Sequence, residues 1–263
     1  MKQSVMAPKT WQEIAQDMQK HRANTIIAVE PAVPDPPPDL PLNVTGMPKQ
    51  LLSDEVLSIT ERLPEDLILE LANNTLSALA VTNAFLQRAG LASKLVNCCT
   101  ELLPERALTR AKFLDDYMVK HKKPIGPLHG LPISVKEHIG MKGLDLNAGF
   151  VSWVGNTSPD DAIILKLLWN AGCVFYARTT QPQTLMHLET SNNIYGKQID
   201  GQKAYPLSGH YKSLRSVDCS EDSRHILELR QASQLRGEQL QVPSSPWLSD
   251  IANPFAFSLQ ELP

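Results

Sequence analysis

Three neighbouring stretches decide the fold. They are Leu131-Pro132-Ile133-Ser134-Val135-Lys136, Ser158-Pro159-Asp160-Asp161 with the apolar run 162–169, and Cys173-Val174-Phe175-Tyr176-Ala177. The first is short, alternating and β-branched, which predicts a strand. The second places a capping serine, a proline and an acid at the start of a helix. That helix is apolar along its length, so it is expected to be buried, and Gly172 closes it. The third is a continuous apolar run and reads as a buried strand. Strand, helix and strand in this order predict an α/β fold with a parallel pair.

Upstream of this unit the pattern is helical. Thr10-Trp11-Gln12-Glu13 fits a capping box, followed by Trp11, Ile14, Ala15 and Met18 at helical spacing. Six prolines fall between Pro31 and Pro41, so that segment is expected to be an extended connector. Ser53-Asp54-Glu55 opens one helix and Pro64-Glu65-Asp66 the next, which Asn73-Asn74 ends. A further helix is expected from Ser77 to Ala89, closed by Gly90, and a charged amphipathic surface helix from Glu105 to Val119. Beyond Gly196 the periodicity fades. A polar helix over 226–240 and a loop at Pro243-Ser244-Ser245-Pro246 are the readable features. The expected organisation is an amino-terminal helix and Pro-rich connector (1–50), a central α/β region (51–196) and a divergent tail (197–263).

Composition narrows the function. The chain has 263 residues, 42% of them hydrophobic and 20% charged, close to an ordinary globular protein. A net charge of −3 argues against a basic nucleic-acid binder, and four scattered tryptophans make no stacking platform. Four cysteines (Cys98, Cys99, Cys173, Cys219) are too few for a disulfide scaffold. His121, His129 and His138 lie eight and nine residues apart, which is neither a helical pair nor a zinc spacing, so no metal is expected. His129 is expected to shape the turn before the first strand. With no long apolar run and no apolar leader, the expectation is a cytoplasmic protein without membrane or nucleic-acid partners. The sequence does not indicate an oligomeric state.

The chemistry points to Lys136. The turn Gly126-Pro127-Leu128-His129-Gly130 feeds an apolar strand with this lysine at its end. Apolar neighbours disfavour the charged ammonium, and a lysine so desolvated serves as a general base near neutrality. The plain alternative is a strand-end lysine that extends to water.

The run from Gly126 to Glu137 resembles the lysine motif of the amidase signature family. The resemblance continues through Gly143-Leu144-Asp145, Val151-Ser152-Trp153-Val154-Gly155 and Ala171-Gly172-Cys173-Val174-Phe175-Tyr176. It then runs through Gln181-Pro182-Gln183-Thr184-Leu185-Met186 to Glu189-Thr190-Ser191-Asn192-Asn193-Ile194-Tyr195-Gly196. Thr10-Trp11-Gln12-Glu13 and Leu51-Leu52-Ser53-Asp54-Glu55 are similar to the fungal acetamidase branch. The resemblance implies the amino-terminal half of an amidase-signature fold, with helices first and then strands of a mixed sheet. It implies hydrolysis of small linear amides with no cofactor. A neutral lysine takes a proton through a bridging serine from a nucleophilic serine, an acyl-enzyme forms, and backbone N–H groups hold the oxyanion. Lys136 matches the family lysine. Leu185 and Met186 fall where the family lines its acyl pocket, although plain core residues read the same way.

After Gly196 the resemblance stops. The family continues into Gly-Gly-Ser-Ser-Gly-Gly and later Asp-Ile-Gly-Gly-Ser. This chain continues as Lys197-Gln198-Ile199-Asp200-Gly201-Gln202-Lys203, and Gly-Gly-Ser-Ser occurs nowhere in it. Ser249-Asp250-Ile251-Ala252 is a faint echo followed by Asn253-Pro254, and proline has no N–H to offer an oxyanion. Ser244-Ser245 between prolines and Ser208 near His210 are the remaining serine candidates. The expectation is therefore a truncated, catalytically inactive amidase-family chain whose tail is read out of frame. The alternatives are an active amide hydrolase using Lys136 with one of those serines, and a non-catalytic interaction protein.

Overall fold

The structure is a computed structural model that describes residues 9–185 and 189–199. Met186, the Ser208–His210 and Ser244–Ser245 pairs, Ser249 and the helix expected over 226–240 lie outside the described residues.

Helix α1 (Trp11–Ile27) begins with the capping box its sequence carries. Thr10 Oγ1 accepts from the Glu13 backbone N–H at 3.3 Å, and the Glu13 carboxylate accepts from the Thr10 N–H at 2.7 Å. The expected apolar stripe is only partly used: Ala15 and Ile26 are buried, whereas Trp11 is exposed. The proline-rich connector has no helix or strand, but Val33 and Val44 anchor it in the core. Helices α2 (Met47–Leu51), α3 (Asp54–Thr60) and α4 (Pro64–Ala72) follow. Ser53 caps α3, Pro64 opens α4, and Asn74 leaves it at a left-handed φ of 57°.

Helix α5 (Ala78–Val96) is the central helix. It runs through Gly90, where the sequence pattern predicts its end. A Cβ at Gly90 would come within 2.6 Å of Val33 Cγ2, so this glycine admits the connector to the helix surface. Asn97, left-handed at φ 59°, ends α5 instead. Its amino terminus is capped twice: Ser77 Oγ accepts from Ala80, and the Asp115 carboxylate accepts from Ala78 and Leu79 at 2.7 and 3.0 Å. Asp115 belongs to α6 (Pro104–His121), so a side chain of one helix supplies the missing acceptor of another.

Strands β1 (Cys99–Leu102), β2 (Pro132–Lys136) and β3 (Val174–Thr179) form a mixed sheet in the order β1-β3-β2. β2 and β3 are parallel, as the strand–helix–strand reading requires, and β1 joins antiparallel on the other side of β3. Helices α5 and α6 pack on each other and on β3, α1 packs on β1, and Phe85 meets Tyr176 edge-on at 5.7 Å.

Helix α7 (Ile163–Ala171) corrects two expectations. It starts later than expected, because the residues that read as its cap bind a loop instead. Ser158 Oγ donates to the Asp160 carbonyl, and the Asp161 carboxylate accepts from the Lys142 N–H at 2.7 Å. The helix is also not enclosed. Only Leu165 is buried, while Ile163, Ile164 and Leu167 are 78%, 50% and 51% exposed. The described residues cover one narrow stripe of a helix that is apolar nearly all round. Its carboxyl end is nevertheless tightly docked. Gly172 turns at φ 104°, Leu128 and Gly130 donate to the carbonyls of Ala171 and Gly172, and Arg110 donates to that of Trp169. No helix among the described residues is long and apolar enough to cross a membrane.

Candidate active site

Parallel pairing brings the carboxyl ends of β2 and β3 to one edge of the sheet, with Lys136 opposite Thr179. That edge is where α/β sheets present their ligand-binding groups. His129 lies at the other end of β2, where it shapes the turn that leads into the strand. Its Nδ1 accepts from the Ile125 N–H at 3.2 Å, which requires a ring nitrogen without a proton, and burial lowers its proton affinity in the same sense.

Lys136 is the last residue of β2 and is exposed, whereas the four residues before it are buried. The burial expected to neutralise a base is thus not supplied by the described residues. Two residues on, His138 has its proton affinity lowered by burial and by the nearby Lys136 ammonium. Leu185 lies in the turn Gln183–Leu185 beyond β3 and is 46% exposed, so it is not a core residue. Thr184 and Leu185 both adopt left-handed backbone angles, at φ 68° and 61°. For the β-branched Thr184 this is a strained conformation.

Behind Lys136 lies a buried polar cluster that no local sequence motif announces. Glu137 is 1% exposed, and its carboxylate accepts from Asn147 N–H at 2.7 Å, Ala148 N–H at 2.9 Å and Gln181 Nε2 at 2.6 Å. Burial raises the affinity of Glu137 for its proton against those bonds. Arg178, fully buried on β3, donates from Nη1 to Glu101 Oε1 at 2.6 Å. Its Nη2 donates to the carbonyls of Glu137 and Asp145 at 2.5 and 2.6 Å. The far oxygen of Glu101 meets His21 Nε2 at 3.0 Å. Burial pushes Glu101 upward, but the bonds from His21 and Arg178 prevail and hold it below the usual carboxylate range. The signal that marks this cluster is one arginine and one glutamate inside otherwise apolar strand sequences, positions where charge survives only when paired.

The segment after β3 returns to the same edge. Asn192 donates to Thr180 Oγ1 at 3.1 Å and to the Gln181 carbonyl at 2.9 Å, and it accepts from the N–H groups of Ile194 and Tyr195. Asn97 Nδ2 donates to the carbonyls of Tyr195 and Lys197. The hairpin of β4 (Ser191–Asn192) and β5 (Gly196–Lys197) is thereby fastened beside the strand ends. Among the described residues no group of three or more His, Cys, Asp or Glu is placed to hold a metal ion. The arrangement is a hydrogen-bonded sheet edge with Lys136 at the end of β2.

Comparison with known proteins agrees with the family resemblance read from the sequence motifs. The amidase family model matches residues 80–200. The acetamidase of Emericella nidulans is 41% identical over 195 residues, covering 73% of this chain and 35% of the relative. The acetamidase of Aspergillus oryzae is 40% identical over 198 residues, with the same two shares, 73% and 35%. Among solved structures, a fatty acid amide hydrolase is similar with a TM-score of 0.69 and 32% identity, covering 74% of this chain and 36% of that one. The chain thus spans about a third of the length of these curated relatives (35%). Residues 80–200 thus form an amidase-family region, set in an architecture similar to that of amidase-signature enzymes.

Proposed function

We propose that this chain carries the base-bearing portion of an amide C–N hydrolase for small linear amides and does not turn over an amide by itself. One observation carries the proposal: a matched lysine stands exposed at the end of β2, in a sequence without the Gly-Gly-Ser-Ser that the family resemblance calls for. Amide hydrolysis by this chemistry needs a base, a nucleophile and an oxyanion donor set together. A base alone forfeits most of the rate enhancement. The substrate class follows the fungal relatives, which are named as acetamidases. Lys136 is the proposed base, and Leu185 with Met186 forms the proposed acyl-facing side.

The test is ammonia release from acetamide by the purified full chain and by its Lys136→Ala variant. Equal, background-level release from both is expected. Release that depends on Lys136 would overturn the inactive reading and establish an amidase that uses a serine elsewhere in the chain.

A further inference from the structure

Helix α1 holds to the sheet by few apolar contacts, since only Ala15 and Ile26 are buried along its 17 residues. Polar ties do most of the fastening. Gln19 donates to the Ile194 carbonyl at 2.7 Å, Arg22 pairs with Asn97, and Thr25 Oγ1 accepts from the Leu102 N–H at 3.0 Å. The remaining tie joins His21 to Glu101.

The charge count around that tie is unbalanced. Glu101, Glu137 and Asp145 contribute three carboxylates, and Arg178 contributes one guanidinium. Arg178 and Glu137 are almost wholly buried and Glu101 is 8% exposed, so water does little to screen the surplus. The His21 side chain is 52% exposed and can take a proton from solvent without full desolvation. A proton there adds the second positive charge the cluster lacks.

We propose that His21 is a proton-operated latch: protonated, it fastens α1 to the sheet through Glu101 and Arg178 to the Lys136 strand end, and deprotonated, it lets α1 loosen. The extension to Lys136 rests on reading that residue as the base, whereas the latch itself does not.

The charged groups around His21 are of both signs, and the carboxylates of Glu101 and Asp145 are the ones that favour its proton. Glu101 comes from β1, Arg178 from β3 through Glu101, and Asp145 from the loop before the short turn Val151–Trp153, which itself carries no titratable group. On α1 the neighbours are Asp17, Lys20 and Arg22. The Glu101 bond raises the proton affinity of His21 above its ordinary value. Stability from a raised histidine is fully present below the unfolded value of about 6.5 and is lost as pH rises through the folded value. Glu137 and Asp145, both raised by burial, also favour lower pH. They remain in any His21 variant, so a variant separates their contribution.

The experiment is hydrogen exchange of the full chain at pH 6.0 and 8.5, corrected for intrinsic rates, comparing α1 with α5. Protection of α1 is expected to be partly lost at pH 8.5, because a deprotonated His21 no longer holds Glu101 as a cation. α5 is expected to stay unchanged. His21→Gln should remove the His21 part of the dependence and leave only what Glu137 and Asp145 supply, and the His21 ring should titrate above about 6.5 by NMR. Equal α1 protection at both pH values, an unaltered dependence in His21→Gln, or a ring midpoint at or below the ordinary value overturns the latch. None of these outcomes bears on the ammonia assay, so the two readings fail separately.

Discussion

Arg178 meets Glu137 twice: its Nη2 donates to the Glu137 backbone carbonyl at 2.5 Å and lies 3.7 Å from the carboxylate Oε1. One guanidinium therefore fixes both the backbone and the side chain of the residue next to Lys136. The same nitrogen reaches the Asp145 carbonyl, and Glu137 receives the N–H groups of Asn147 and Ala148. Strand end and loop 145–149 are thus one unit, closed by charge inside an apolar sheet. The cost of burying those charges is offset only while every partner is present.

Replacing Arg178 by Met should therefore destabilise the chain by about 3–5 kcal/mol, because the buried Glu101 and Glu137 lose the guanidinium that offsets their charge. Urea unfolding followed by far-ultraviolet circular dichroism measures the difference. Arg178→Lys restores charge without the fork that serves Glu101 and two carbonyls at once, so it should recover part of the loss and not all of it. A Met variant as stable as the parent would mean the cluster does not hold the strand end.

Gly172 and Gly143 offer a matched pair. Both adopt left-handed angles, at φ 104° and 78°, so alanine is strained at each. A Cβ at Gly172 would also stand 2.8 Å from His129 Cα, a backbone atom with no room to retreat, whereas nothing lies within 4 Å of one at Gly143. Gly143→Ala should cost about 1 kcal/mol, the backbone penalty alone. Gly172→Ala should cost at least about 1 kcal/mol more, in the range of overpacking. Equal losses in thermal unfolding would refute the close approach of the 126–130 turn to α7.

What can be read from the sequence divides along the range of the interactions involved. The capping box of α1, the Ser53 cap and the proline start of α4 are written in residues a few positions apart, and the parallel β2–β3 pair follows from the order of three locally patterned elements. The amidase family itself is legible from ordered motifs between Gly126 and Gly196. β1 is not, because Cys99-Thr100-Glu101-Leu102 carries a buried glutamate whose partner, Arg178, lies 77 residues away on the strand it pairs with. Gly90 reads as a helix end because its actual partner, Val33, lies 57 residues away in a connector. The extent of α7 burial escapes for a different reason: an apolar sequence states what a helix prefers to contact, and the described residues cover only one side of it. Lys136 reads as a strand-end residue and is one, but its exposure depends on what surrounds that end in three dimensions.

The cap that α6 lends to α5 gives a long-range version of a local rule. Asp115 accepts from two of the first N–H groups of α5, beside the local acceptor Ser77. Asp115→Ala should cost about 1–2 kcal/mol, the upper part of the range for a lost cap, because Ala78 is buried and water cannot readily replace the carboxylate. Ser77→Ala should cost about 0.5–1 kcal/mol. Guanidinium unfolding of the two single variants and the double variant checks both, and additivity within about 0.5 kcal/mol is expected if the caps serve separate N–H groups.

The open face of α7 should govern how the chain behaves in concentrated solution. Ile163 and Leu167 stand one turn apart, both more than half exposed, with Ile164 beside them. Contiguous apolar surface of this kind drives association, whereas substitution at exposed positions moves stability by no more than about 0.5 kcal/mol. Ile163→Lys with Leu167→Glu should therefore leave the unfolding midpoint nearly unchanged and reduce self-association. Multi-angle light scattering across a concentration series reads the mass directly. The charges enter one turn apart with opposite sign, so net charge is conserved and a change in mass reports the lost apolar contact rather than added repulsion. An unfolding midpoint that collapses instead would show that this face is enclosed in the folded chain and that α7 is the buried helix its sequence suggested.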